Sequence, residues 1–239
     1  MRIAIVSDIH GNIVGLDACL ADLADQGGAD HVVAAGDLCM DGPKPKAVLK
    51  RLERIGAHCV RGNTDRYIAE GDDDPRDTSM IRWQREQIGA EWTRRLGELP
   101  TQLRFGPADN ALLVTHANPK NDEEHVWPDA ADEQLERLFG DVGAQVFAFG
   151  HLHVPYARMW RNKLLACVAS AGLPKDGDPR AHYAIFTLRS GGWQHKSRRV
   201  AFDVDKVARQ LVRSGIPNVE RCLNVLRRHR YKAIARVIP

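Results

Sequence analysis

The chain of 239 residues is 44% apolar and 27% charged, a balance that excludes disordered and collagen-like classes and fits one large or two small globular domains. Its net charge of +3 hides an asymmetry: residues 205–239 hold nine Lys/Arg against two Asp/Glu, which leaves 25 against 29 elsewhere, an acidic body with a basic end. No eighteen-residue apolar run and no secretory leader are present, and five scattered cysteines lack a C-x-x-C pair, so a cytoplasmic protein with reduced thiols and no membrane partner is expected.

In chain order, the brief apolar runs Ile3–Val6, Val32–Ala35 and His58–Val60 read as buried strands. Between them, Ile13, Leu16, Leu20 and Leu23 recur at helical spacing up to Gly27-Gly28, and a second helix is predicted from Pro45 to Ile55. Strand–helix–strand repeats of this length imply a parallel sheet. One long helix is predicted over Ser79–Leu99, closed by Pro100. Strand-like runs then dominate (Ala111–Val114, Val146–Phe149, Leu164–Ala169, Tyr183–Leu188, Trp193–Phe202), interrupted by one helix near Asp132–Phe139, which suggests a second sheet packed on the first. The end, Asp203–Ser214 and Pro217–Arg230, reads as two helices. The expected organisation is one α/β domain over 1–202, with 203–239 a helical extension packed on it.

The chemistry lies just past the end of each run. Ile3–Val6 leads into Asp8-Ile9-His10, Val32–Ala35 into Gly36-Asp37, and Val60 into Gly62-Asn63-Thr64-Asp65. Ala111–Val114 leads into His116, and Val146–Phe149 into Gly150-His151-Leu152-His153. In open α/β sheets, ligands bind beyond the carboxyl ends of strands. Singly, these motifs are turns, a helix cap at Asn63 or a core histidine at His116; jointly, they supply one place five times with metal-binding groups. In an extended segment Asp8 and His10, and likewise His151 and His153, would point to the same side. Asp37, taken as nearest the middle of the sheet, reads as a bridging carboxylate. Imidazole, carboxylate and amide together suit Mn, Fe, Zn or Ni better than Mg or Ca.

In this order, the motifs D-x-H, G-D, G-N, a lone H and G-H-x-H resemble the calcineurin-like metallophosphoesterase superfamily over residues 1–202, and Ser7-Asp8-Ile9-His10-Gly11-Asn12 points to its small prokaryotic branch. The resemblance implies an αββα fold, a two-sheet sandwich flanked by helices. It implies two divalent metal ions, one held by Asp8, His10, Asp37 and His153, the other by Asp37, Asn63, His116 and His151. Hydrolysis of a small phosphate ester by water activated between the ions would follow. Asn12, Thr64 and Asp65 are the candidate substrate contacts, Asn12 with helix capping as its alternative role.

One departure bears on catalysis. The superfamily's G-N-H has become Gly62-Asn63-Thr64, and a threonine hydroxyl cannot replace imidazole as general acid, a role worth roughly 10²–10⁴-fold. Weak action on alkyl monoesters and better action on esters with good leaving groups, such as aryl or nucleoside diesters, are expected. His125 could supply a proton, with a solvated loop histidine as the alternative. Dinucleoside polyphosphate hydrolysis, protein Ser/Thr dephosphorylation and a scaffold role like that of a eukaryotic retromer subunit are the competing functions. Asp72-Asp73-Asp74 reads as a solvated loop near the site mouth. The basic end (Arg221, Arg227, Arg228, Arg230, Lys232, Arg236) reads as a solvated face or a surface for the body or a second subunit in a homodimer. With only Tyr231 interleaved, nucleic acid is not expected as a partner.

Overall fold

The computed structural model describes residues 1–71 and 78–229. Parallel strands β1 (Arg2–Val6), β2 (His31–Ala34) and β3 (His58–Cys59) join the antiparallel pair β9 (Ala181–Arg189) and β10 (Gly192–Val200) in the order β10-β9-β1-β2-β3. A second sheet holds β4 (Gln102–Phe105), β5 (Leu112–Thr115), β6 (Val146–Phe149), β8 (Lys163–Cys167) and β7 (Tyr156–Trp160), in that spatial order, with β5, β6 and β8 parallel.

The unbroken apolar runs arise because each central strand is covered on both faces. Ile3, Ile5 and Val33 meet Leu112, Val114 and Ala148 between the sheets. Ala4, Val6 and Ala34 face the other way, toward Leu16 and Cys19 of α1 (Ile13–Asp25) and Leu49 and Leu52 of α2 (Pro45–Arg54). On the second sheet's outer face, Leu113, Phe147 and Phe149 pack on Leu135, Leu138 and Phe139 of α6 (Asp132–Phe139). Burying each such aliphatic or aromatic side chain stabilises by about 1.5–3 kcal/mol, so a one-residue slip of any strand would be costly. The result is the helix–sheet–sheet–helix sandwich.

The structure corrects several expectations. The Ser79–Leu99 helix is two, α4 (Thr78–Ile88) and α5 (Ala90–Gly97), because Gly89 adopts φ 85° and its N–H closes onto the Arg85 carbonyl. A helix unforeseen from the sequence, α3 (Asn63–Glu70), starts at the Asn63 motif itself. Strands β4 and β7 were also unforeseen; both are sheet edges with half-exposed residues, so neither carries a continuous apolar run. The middle strand of the first sheet is β1, not the β2 that precedes Asp37.

Beyond residue 202, Asp203 caps α7 (Val204–Ser214) by accepting the Lys206 N–H at 2.7 Å. With α8 (Val219–Arg228), its apolar face (Val207, Leu211, Leu223, Leu226) closes over Met80, Trp83 and Leu173. Asp72, Asp73, Asp74, Arg230, Tyr231, Lys232 and Arg236 lie outside the described residues. Among the described residues no helix is long and apolar enough to cross a membrane.

Candidate metal centre

The carboxyl ends of β1, β2 and β3 meet those of β5 and β6, and backbone bonds tie their loops together. The amides of Asp8, His10 and Gly150 donate to the carbonyls of Gly36, Asp37 and His116 at 3.0, 2.9 and 2.7 Å, and His151 N–H donates to Asp8 Oδ2 at 2.9 Å. This brings the seven singled-out side chains into two groups. Ligand atoms of Asp8, His10, Asp37 and His153 lie within 4.8 Å of one another, as do those of Asp37, His116 and His151. Asn63 Oδ1, 3.0 Å from His116 Nε2, adjoins the second group. Asp37 belongs to both, with Oδ2 at 3.6 Å from His10 Nε2 and Oδ1 at 3.4 Å from His116 Nε2.

Backbone carbonyls set the tautomers. Nδ1 of His10, His116 and His153 donates to the carbonyls of Met40, Ala35 and Leu173 at 2.8, 2.8 and 2.5 Å, so in the neutral ring each Nε2 turns a lone pair toward the centre. His151 is reversed: Nε2 donates to the Glu123 carbonyl at 2.8 Å, leaving Nδ1 to ligate. As a result, the lone pairs of His10 Nε2 and His153 Nε2 face each other at 3.3 Å, with Asp8 Oδ1 at 3.0 Å from His153 Nε2 and without a hydrogen-bond donor among the described residues. Buried acceptors converging without a proton between them fit a divalent cation.

Burial pushes His153 down to about 4, aided by Lys175, and His151 down to about 4, aided by His116 and His125, so both rings are neutral and able to ligate near neutral pH. For Asp8 burial acts upward, yet His153, His116 and His10 outweigh it and hold the carboxyl well below the usual range. Burial likewise opposes ionisation of Asp37, and His116 and His10 overcome it.

Asp8, His10, Asp37, His151 and His153 all lie in the left-handed region, with φ between 49° and 62°. Such strain in non-glycine residues concentrates at functional sites. It also corrects the extended-segment expectation: the pairs turn sharply, and His151 and His153 diverge into different groups. Two glycines are required by close approach. A Cβ on Gly62 would strike Asp37, and one on Gly150 would strike Ser7 Oγ and Asp8 Oδ2.

The remaining expected residues divide differently. Asn12 caps α1 by accepting the Gly15 N–H at 2.9 Å and donates to the Gly172 carbonyl at 2.9 Å, so both its polar atoms serve the fold. Asp65 accepts from the backbone amides of Asp37, Leu38 and Gly62 at 2.9–3.0 Å; burial and the charge of Asp37 push it up to about 7 against those donors. Thr64 donates its N–H to Asp37 Oδ1 at 3.0 Å, and its buried hydroxyl has no hydrogen-bond partner among the described residues. His125 is half-buried, its ring centroid 4.2 Å from that of His151, so it borders the centre instead of standing in solvent. Sequence reasoning missed Tyr67 and Glu123. A helix starting at Asn63 would have pointed to Tyr67, one turn on; the Glu123 contact is a backbone carbonyl, which no side-chain pattern reveals. A cleft of about 220 Å³, lined by Arg61, Arg66, His116, Asn118 and Lys120 among others, lies beside the second group.

Carboxylate, imidazole and amide side chains gathered where two sheets meet form a candidate divalent-metal centre. The family model of the calcineurin-like phosphoesterase superfamily domain matches residues 1–191, and the chain belongs to that superfamily. It is 26% identical over 236 residues to an uncharacterised protein of Methanocaldococcus jannaschii, covering 90% of this chain and 93% of the relative. Phosphodiesterase YfcE of Escherichia coli is 26% identical over 193 residues, covering 76% of this chain and 85% of the relative. A crystal structure of a metallophosphoesterase from Sphaerobacter thermophilus superposes with a TM-score of 0.76 at 24% identity, covering 95% and 98% of the two chains, and shows a shared fold.

Proposed function

We propose that the chain is a two-metal phosphodiesterase for small nucleotide-like or aryl esters, with Asp37 shared between the ions. The carrying observation is the placement of Asp37, one oxygen toward each group of clustered ligand atoms. Asp8, His10, Asp37 and His153 would hold one divalent ion, and Asp37, Asn63, His116 and His151 the other. When bound, the pair supplies positive charge for phosphate oxygens and lowers the pKa of the attacking water. The protein's own part is orientation: the four carbonyls fix the imidazoles, and the left-handed turns aim them before substrate arrives. The donor set suits Mn, Fe, Zn or Ni.

Leaving-group chemistry depends on Thr64. Its hydroxyl has no pKa near neutrality, so departure of an alkoxide is unassisted there and esters with stable leaving groups are favoured. The relative named as a phosphodiesterase supports the diester reading. Arg61 in the neighbouring cleft favours a second reading, dinucleoside polyphosphates, whose extra charge it would meet, whereas Arg66 and Lys120 there are already paired with Asp122 and Asp141. Retention of every ligand in converging geometry argues against a scaffold. Five cysteines without a disulfide suit the cytoplasm.

The test is metal analysis with an assay panel of bis-aryl phosphate, aryl monoester, cyclic nucleotides and dinucleoside tetraphosphate under Mn²⁺, Ni²⁺ and Mg²⁺. Two equivalents of metal and diester turnover above monoester turnover are expected. A folded protein without metal-dependent turnover of any member refutes the proposal.

A further inference from the structure

Both proposed metal positions are oriented by backbone carbonyls. At Asp8–His10–Asp37–His153, the imidazoles lean on carbonyls of Met40 and Leu173, each six residues past the end of its strand. At Asn63–His116–His151, the orienting carbonyl for His151 belongs to Glu123, in a segment that is neither strand nor helix. That segment is folded on itself by Asn118 and Asn121, whose side-chain oxygens accept the amides of Lys120, Asn121, Glu123 and Glu124.

What fastens it to the centre is α3. Arg66 Nε and Nη2 donate to the two oxygens of Asp122 at 2.8 and 3.1 Å, and Nη2 also reaches Glu123 Oε1 at 2.8 Å. The Tyr67 hydroxyl donates to the same Glu123 carboxylate. That hydroxyl also accepts from Asn63 Nδ2 at 3.2 Å, one helical turn back. With Nδ2 so engaged, Asn63 turns Oδ1 toward His116. One buried phenol thus touches the amide of one ligand and the side chain whose backbone orients another.

We propose that Tyr67 is the positioning residue of the Asp37–Asn63–His116–His151 metal position, fixing Asn63 directly and His151 through Glu123. The proposal rests on the two-metal reading above. It makes the two positions separable: removing the phenolic oxygen loosens two ligands of one ion and none peculiar to the other. Groups that orient metal ligands typically contribute 10–100-fold to affinity.

The test is a calorimetric titration of chelator-stripped protein with Mn²⁺, comparing wild type, Tyr67→Phe and Glu123→Ala. Tyr67→Phe keeps the buried ring; Glu123→Ala alters a half-exposed side chain and keeps the carbonyl, so it serves even if the phenylalanine variant fails to fold. In both variants one site is expected to weaken, by 10–100-fold in Tyr67→Phe and less in Glu123→Ala, while the other stays within twofold. Two wild-type affinities in the variants overturn the proposal, and so does equal weakening of both sites. A wild-type protein that binds fewer than two ions refutes instead the two-metal reading beneath it.

Discussion

Replacing Asp37 by Asn keeps the shape of the side chain and removes its charge from both groups. Asp37 Oδ1 accepts the Thr64 N–H at 3.0 Å, so an amide must keep its oxygen there, since its NH₂ would meet another donor. The NH₂ then turns toward His10, where Oδ2 stood 3.6 Å from Nε2, and the first group loses a ligand while the second loses its anionic charge. Each ion present at a hundredfold excess over its Kd stabilises the fold by about 2.7 kcal/mol, so two contribute about 5 kcal/mol. Unfolding entropy of roughly 2.1 cal/mol/K per residue, applied to this length, converts that into a Tm rise of about 10 °C. Thermal unfolding followed by circular dichroism, in chelator and then in excess Mn²⁺, reads the difference. Wild type should gain about 10 °C, His10→Asn about half of that, and Asp37→Asn less than about 2 °C. A folded Asp37→Asn protein with the full gain refutes a shared carboxylate.

Three further outcomes are expected. Thr64→His should raise monoester turnover relative to diester turnover by about a hundredfold, the low side of a general-acid contribution; an unchanged ratio in steady-state assays contradicts the leaving-group argument. Gly150→Ala drives a methyl into Ser7 and Asp8, so urea unfolding without metal should show about 1–3 kcal/mol less stability, and an undiminished midpoint would contradict the packing described. His182 donates from Nδ1 to the Val168 carbonyl at 2.8 Å and its Nε2 lies 2.6 Å from Ser197 Oγ; burial favours the neutral ring and pushes it down to about 4. The unfolded chain takes up this proton near pH 6.5, so stability is lost as pH falls from 6.5 toward 4, by about 3 kcal/mol at the acid end. His182→Gln should remove that part of the slope in urea titrations; the wild-type slope in the variant would count against it.

Much of this was legible because strands covered on both faces leave unbroken apolar runs, and each such run stops where a candidate ligand begins. Ile3–Val6 before Asp8 and Val146–Phe149 before His151 are of this kind, and the structure places their ends together. Gly89 was misread because a helical pattern of apolar residues continues across it, while the break depends on one backbone angle. The left-handed turns at Asp8, His10, His151 and His153 have no pattern of their own: Asp and His tolerate such angles without announcing them. Asn12 and Asp65 have ordinary polar side chains whose use by the backbone appears only when Gly172, Leu38 and Gly62 are folded against them. His125 borders the centre from a segment whose path no periodicity encodes, and Tyr67 reaches it from a helix whose start at Asn63 no apolar pattern marks.

The most direct measurement is anomalous diffraction from crystals grown with Mn²⁺. Two peaks roughly 3.5–4 Å apart, one beside each oxygen of Asp37, are predicted. A single peak, or two that do not share Asp37, would contradict the two-metal centre.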